Sequence, residues 1–413
     1  YNASYNAVED PGRRAGVLLE HQYRANDHGA RSILTLTMDR FGQGRLTNLA
    51  QDCQPSHLIE PRAPDDIAVI VYTSGTTGLP KGAMISHDNL ISNAQTLTSA
   101  WGWTQADVML HTLPIFHVHG LFVGLHLPLL AGCSMIFQPS FDAATVRTAL
   151  AHATVFMGVP TYYTRLLRQG IHQKDCEGMR LFISGSAPLL AQTFQDWEET
   201  TGTVILERYG MSETGMNTAN PLDGERKPGT VGPPLPGVEC LVVNDAGDVL
   251  PAGETGHLWV RGPNVFQGYW QNEEKTAESF TPDGYFKTGD LAVIDDEGYI
   301  SIVGRSKDLI ITGGLNVYPK EIELVLDAID GVMESAVIGL PHPDFGESVC
   351  AVIVPLAEVD LTAEFIFDQI KPRLANFKTP KKIFFLRNLP RNTMGKVQKN
   401  QLRAQFSDAA HNR

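Results

Sequence analysis

Scarcities in this sequence narrow its possible roles. Only 5 cysteines occur in 413 residues, scattered at Cys53, Cys133, Cys176, Cys240 and Cys350 with no C-x-x-C pair. An odd, dispersed set does not build a disulfide framework and fits reduced thiols in a reducing compartment. Basic charge is scarce too: 33 lysines and arginines against 46 acids leave a net charge of −13. Non-specific nucleic-acid binding needs clustered cations, so no nucleic-acid partner is expected. Clean hydrophobic runs are also missing. Residues 120–137 reach the minimum length of a membrane span, but His126, Pro128 and interposed glycines break them. That pattern predicts a buried helix and strand, with no membrane insertion. Internal repeats and low-complexity tracts are absent.

The chain exceeds what one hydrophobic core usually serves, so two or more domains are expected. Residues 1–60 are poorly patterned. From residue 65 short apolar segments (67–72, 154–158, 181–184, 204–206) alternate with helical patterns at 88–98 and 144–151, which predicts an α/β architecture with stacked sheets. Beyond about residue 232 strands and turns dominate: 240–244, 256–260, and 292–303 around Asp295-Asp296-Glu297-Gly298. A composition break follows at Arg305-Ser306-Lys307-Asp308. After it come a helix (320–329), two strands (335–340, 349–355), a helix (364–374), a strand (382–386) and a last helix, a small α+β domain.

The most informative stretch is Thr73-Ser74-Gly75-Thr76-Thr77-Gly78-Leu79-Pro80-Lys81-Gly82, directly after an apolar run. Small hydroxylated residues and glycines ending in a lysine present N–H groups, hydroxyls and one ammonium to a polyphosphate. The spacing is not that of the common P-loop, G-x-x-x-x-G-K-[ST]. Further along stand Ser184-Gly185-Ser186-Ala187-Pro188, then Glu207-Arg208-Tyr209-Gly210-Met211-Ser212-Glu213, then Lys287-Thr288-Gly289-Asp290 and Gly304-Arg305. Gly313-Gly314-Leu315-Asn316 and Asn392-Thr393-Met394-Gly395-Lys396 complete the series. The cluster His117-Val118-His119 has no carboxylate or cysteine set beside it, so zinc is not expected there.

Taken in order, these segments resemble the motifs of the adenylate-forming superfamily: acyl-CoA synthetases, luciferases and peptide-synthetase adenylation domains. The resemblance covers residues from about 65 to 406, with Ser212 where the family usually has threonine. It implies a large N-terminal adenylation domain at 1–305, a hinge at 306–308 centred on Lys307, and a mobile C-terminal lid at 309–413. It implies that Thr73, Ser74, Gly75, Thr76, Thr77, Gly78 and Lys81 hold ATP phosphates. Gly185, Ser186, Ala187, Glu207, Tyr209, Gly210 and Met211 would surround the nucleotide, Asp290 and Arg305 would hold its ribose, and Glu213, beside Ser212, would bind Mg²⁺. Lys396 would be the catalytic lysine, and Gly313 and Gly314 would line the coenzyme A tunnel. Fewer residues precede Thr73 than the family usually carries, so either the start of the large domain is missing from this sequence or the domain is naturally shortened with a partly uncovered sheet.

The segments at 111–120, 157–163 and 207–209 look most like those of malonyl-CoA synthetases. Arg208 carries the chemistry of that resemblance: a second carboxylate, once desolvated, needs a cationic and preferably bidentate partner. Ser186, Thr112 and His117 are further candidates for the acid pocket. The expected reaction is ATP-dependent ligation of a small dicarboxylate, malonate or a relative, to coenzyme A through an acyl-adenylate. The alternatives are another short-chain acyl-CoA synthetase, a carrier-protein adenylation enzyme, or a nucleotide-binding pseudoenzyme. A monomer or weak dimer in the cytoplasm is expected, with the mitochondrial matrix after transit-peptide removal as the alternative.

Overall fold

A computed structural model describes residues 2–3, 17–22, 33–38, 45–51, 60–73, 81–356, 359–392 and 395–407. Two compact units are formed, Tyr1–Ile91 with Phe266–Ala277, and Ser92–Val265 with Glu278–Arg413. The fold class is mixed α/β with several sheets, as the sequence predicts. Among the described residues no helix is long and apolar enough to cross a membrane.

In the first unit, strands Ile67–Thr73 and Lys81–Ser86 pair antiparallel, with Gly268–Tyr269 on the far edge of the second. Thr73 and Lys81 face each other across the last rung. The phosphate-loop sequence therefore links the two strands of a hairpin and does not lead from a strand into a helix. Before residue 60, where the sequence predicts no element, strands Asn2–Ala3, Val17–Gln22 and Ile33–Met38 form an antiparallel sheet, followed by helix Arg45–Gln51. Short strands between polar connectors give too few alternations to be read from sequence.

The second unit is built on a six-stranded sheet. Its order is Gly215–Ala219, Ile205–Met211, Leu181–Ser184, Val155–Gly158, Val108–His111, Ser134–Phe137, parallel except at the first pair. Successive side chains go to opposite faces. Phe156, Phe182 and Ile205 pack on one face against helices Ala143–Leu150, Pro160–Arg168 and Ala191–Thr201, whose Val146, Leu150, Tyr163, Leu166 and Trp197 fill that core. Val155, Met157, Leu181, Ile183 and Leu206 pack on the other face, with Leu97 of helix His87–Ala100 and Trp101 just after it. The same second core takes in Val242, Leu258, Val260, Ala292 and Ile300 from an antiparallel sheet of Glu239–Val243, Gly256–Arg261, Phe286–Ile294 and Ile300–Arg305.

Both faces of the parallel sheet are thus dry, and burying each large side chain there contributes about 1.5–3 kcal/mol. Strand Ile205–Met211 runs well past the expected 204–206. Its backbone is paired on both sides, with Leu181–Ser184 and with Gly215–Ala219, and that outweighs the polar character of Glu207, Arg208 and Tyr209.

From Ile310 onward a five-stranded sheet joins Leu315–Val317, Ile310–Thr312, Gly346–Pro355 and Val332–His342, with Lys382–Phe385 parallel to Gly346–Pro355. Helices Pro319–Asp327 and Ala363–Ile370 cover one face and Lys399–Phe406 the other. These cores draw only on residues after 309. Residues 120–137 form the π-helical turn His119–Val123, helix His126–Ala131 and strand Ser134–Phe137.

Candidate active site

Strand alternation fixes the site's first feature. Ile205 faces the helical core and Leu206 the opposite core, so Glu207 and Arg208 project to opposite faces. Glu207 pairs in register with Ser184, and its Oε1 accepts the Leu189 N–H at 3.0 Å. Oε2 is buried without a partner among the described residues, and burial raises the carboxyl to about 8. Arg208 is 2% exposed. Its Nε and Nη2 are buried and have no hydrogen-bond partner among the described residues, and burial lowers the guanidinium to about 10. It passes so close to Gly185 that a Cβ there would lie 2.6 Å from Arg208 Cζ. The glycine is therefore required by the arginine.

Ser186, next along, has φ 70°, a left-handed conformation unusual for a residue with a side chain. Its Oγ lies 3.1 Å from Nδ1 of His119, which is fully buried. His119 is delivered by a tight approach: a Cβ on Gly120 would stand 2.2 Å from the Pro114 carbonyl oxygen. His119 Nε2 and Thr112 Oγ1 are further buried polar atoms without partners among the described residues. Burial holds His119 well below 6.5, and the Arg208 charge adds to that. His117 is half-buried and falls to about 4, through burial first and then the charges of Lys396 and Arg208. Of the residues named from sequence, Ser186 and His117 are in contact with His119, the Arg208 charge acts on it, and Thr112 is buried just past the end of strand Val108–His111. Sequence reading passed over His119 as part of an apolar histidine cluster. The available signal was a histidine two residues from another, before a glycine.

A second cluster forms where the sheets meet. Asp290 and Arg305 are directly opposite in register on adjacent strands, and Arg305 Nε lies 2.8 Å from Asp290 Oδ1. The Tyr209 hydroxyl donates to the other carboxylate oxygen of Asp290. Desolvation opposes the Arg305 charge, but Asp290 beside it holds the pKa above its usual value. Burial, then the Asp290 charge, pushes the Tyr209 phenol well up. Asp290, Arg305 and Tyr209, far apart in sequence, are one hydrogen-bonded unit.

Glu213 is buried on the turn that follows Met211 and Ser212. Asn264 Nδ2 donates to the carbonyls of Thr214 (2.7 Å) and Met216 (3.2 Å), and Asn93 exchanges two hydrogen bonds with Met216. A single buried carboxylate fits Mg²⁺ delivered with phosphates, because that ion keeps most of its ligands as water and phosphate oxygen. Gly210 and Met211 complete the same strand end.

Lys396 is half-buried within reach of the charges of Arg305, Asp290, Glu213 and Arg208. Burial first, then Arg305, lowers its pKa. Its backbone N–H donates to Asn392 Oδ1 at 2.9 Å, closing the turn that presents it. Lys307 is exposed on the short helical turn Ser306–Asp308. Gly313 (φ 57°) and Gly314 (φ 79°) form the exposed tip of the Ile310–Thr312/Leu315–Val317 hairpin and take no part in the buried cluster. Two successive left-handed residues are what a two-residue hairpin turn needs. In the first unit, Lys81 Nζ lies 5.5 Å from the Tyr269 ring centroid, and Thr73 Oγ1 reaches the Lys81 carbonyl at 3.5 Å. Ser74, Gly75, Thr76, Thr77 and Gly78 lie outside the described residues.

The family model for the AMP-binding enzyme matches residues 14–270, and that for the AMP-binding enzyme C-terminal domain matches 321–396. The chain belongs to the AMP-binding enzyme family. Within this adenylate-forming family it is similar to a malonate–CoA ligase of Arabidopsis thaliana, 41% identical over 82% of this chain and 60% of that protein. A mitochondrial malonate–CoA ligase of Mus musculus is 39% identical over 82% of this chain and 64% of that protein. The solved ATP-bound MatB of Rhodopseudomonas palustris is 53% identical with a TM-score of 0.89, covering 91% of this chain and 75% of its own. The chain spans about three fifths of the length of the curated relatives it matches. These likenesses place it near the malonyl-CoA synthetases of the AMP-binding family.

Proposed function

We propose that this chain joins a small dicarboxylate, malonate foremost, to coenzyme A through an acyl-adenylate, releasing AMP and pyrophosphate. One observation carries the reading: a buried guanidinium whose Nε and Nη2 find no partner among the described residues stands within reach of the Lys396 charge. A desolvated cation without a partner is unfavourable unless a ligand anion completes it. A monocarboxylate spends its only carboxylate on the reaction, whereas a dicarboxylate has a second one for Arg208. The names carried by the Arabidopsis and mouse relatives support the same substrate.

A free carboxylate is a poor electrophile, because negative charge shields its carbonyl carbon and it lacks a leaving group. Attack on the α-phosphorus of ATP converts it to a mixed anhydride, after which the thiol of coenzyme A displaces AMP. Several anionic oxygens must converge in the first step, so oriented cations lower the barrier. Lys396 neutralises charge on the reacting oxygens. Asp290 accepts from the ribose hydroxyls and Arg305 adds a second ribose contact, while Tyr209 packs against the base. Glu213 would hold Mg²⁺, which supplies charge neutralisation for the phosphates. Thr73, Lys81 and residues 74–78 cradle the β- and γ-phosphates; Gly185, Ala187, Glu207, Gly210 and Met211 shape the adenosine surroundings, with Ser212 contributing a hydroxyl. Rotation about Lys307 withdraws Lys396 and brings Gly313 and Gly314 to the thiol path, so that one site serves both half-reactions. Dispersed cysteines fit a reducing compartment, either cytoplasm or mitochondrial matrix.

The test is ATP–pyrophosphate exchange over a panel of malonate, methylmalonate, succinate, acetate, butyrate and benzoate. The greatest exchange is expected with malonate or methylmalonate. Preference for acetate, butyrate or benzoate removes the dicarboxylate assignment. ATP binding with no exchange for any acid selects the pseudoenzyme.

A further inference from the structure

His119 is the most enclosed titratable side chain in the acid pocket, and the mechanism above gives it no role. It is 0% exposed. Nδ1 lies 3.1 Å from Ser186 Oγ, while Nε2 is buried with no partner among the described residues. Its neighbour His117 accepts the His119 backbone N–H on Nδ1 at 3.2 Å, so the two rings are ordered by different contacts. Ser186 holds a left-handed backbone, φ 70°, directly after the glycine against which the Arg208 guanidinium packs. Strain in a residue with a side chain persists where the surroundings over-determine it, and such positions gather at ligand sites. A core histidine normally satisfies both nitrogens; one left open beside an unpaired buried arginine marks a place kept for an acceptor.

We propose that His119 is a second recognition group for the distal carboxylate of the acid, acting as a neutral donor beside Arg208. The inference rests on the dicarboxylate reading of the site and deepens it. Ser186 donates its hydroxyl hydrogen to Nδ1, which fixes the tautomer with the proton on Nε2. The Nε2–H then donates to one carboxylate oxygen while Arg208 engages the carboxylate with its free N–H groups. Burial and the Arg208 charge keep the imidazole neutral, so it supplies direction without a second positive charge to desolvate. Arg208 thereby selects for charge and His119 selects for position. No proton is transferred in this role, so the distal carboxylate stays ionised throughout adenylation.

The experiment compares malonate with propionate, which has no distal carboxylate, in pyrophosphate exchange by wild type, His119→Leu, His119→Gln and Ser186→Gly. The readout is the malonate-to-propionate ratio of kcat/KM, with the malonate KM and kcat resolved separately. A hydrogen bond to a charged group predicts a fall of about 10- to 100-fold in that ratio for His119→Leu, carried by KM. His119→Gln, which keeps an N–H donor, recovers part of it. Ser186→Gly suits the left-handed backbone but frees the ring, and gives a smaller fall. A ratio within about twofold of wild type in His119→Leu overturns the inference. Should that variant not fold, an unchanged ratio in both His119→Gln and Ser186→Gly overturns it equally. A wild type that uses propionate as well as malonate defeats the dicarboxylate reading instead, so the two failures are separable.

Discussion

Replacing Arg208 by methionine should damage function and improve stability in the same molecule. Burial lowers the guanidinium from 12.5 to about 10. At about 1.4 kcal/mol per unit, that is roughly 3 kcal/mol of unfavourable charge burial carried by the ligand-free protein. The depressed value lies well above working pH, so the full penalty is present at pH 7 to 8 and is relieved only as pH rises through about 10. Methionine has similar length and no charge, and can occupy the same space beside Gly185. Swaps of a buried charge for an apolar residue are neutral or stabilising by about 1–4 kcal/mol. We expect a gain of about 1–3 kcal/mol, seen as a rise of roughly 2–4 °C in melting temperature per kcal/mol. Binding moves the other way, because losing a desolvated charge partner costs about 2–5 kcal/mol. That is a rise of roughly 30- to several-thousand-fold in the malonate KM. Thermal melts without ligand, melts with Mg–ATP and malonate, and pyrophosphate exchange read both effects. A variant that melts lower than wild type without ligand refutes the unpaired-cation account. A malonate KM within about threefold of wild type refutes the clamp.

Three other perturbations probe the rest of the site. Lys396→Ala should slow adenylation by about 100-fold or more, as expected for loss of a transition-state charge contact, while ATP affinity changes little. Its pKa lies below 10.5, chiefly through burial, so the charged form is lost at lower pH than for a free lysine. Wild-type adenylation should therefore decline on the alkaline side before pH 10.5, and a flat profile to that pH counts against the role. Asp290→Asn removes the charge that Arg305 and Tyr209 share. A fall of about 1–3 kcal/mol in stability is expected, discounted because Arg305 is partly exposed, with a raised KM for ATP and an unchanged malonate preference. Wild-type ATP affinity in the variant would separate Asp290 from the ribose. Glu207→Gln tests the raised carboxyl. With an ordinary value of 4.5 and a folded value of about 8, the folded state holds the proton between those limits while the unfolded state gives it up. Wild-type stability should fall as pH rises from 4.5 to 8 and level off above. The glutamine variant lacks this slope, so its urea midpoint should gain on wild type across that range. Parallel curves would show that Glu207 is not desolvated.

Much of this protein is legible from its sequence because local patterns carry their own physics. Apolar runs such as 181–184 and 154–158 emerge within a residue of strands Leu181–Ser184 and Val155–Gly158, since a strand buried on both faces must be apolar throughout. The order of motifs from Thr73 to Lys396 needs no coordinates, whereas the paired glycines at 313 and 314, read as tunnel lining by resemblance, form a tight hairpin turn that only the structure showed. Facing is different. Both Glu207 and Arg208 stand in a strand with cores on either side, so the chain around them does not say which core each side chain enters. Only pairing with Leu181–Ser184 and Gly215–Ala219 extended that strand and set the phase. Tertiary packing alone brought Asp290 against Arg305 and Tyr209, and set His119 on Ser186, 67 positions further along the chain. Those contacts depend on register and on close approaches at Gly120 and Gly185, which are properties of two segments together and of neither one read alone.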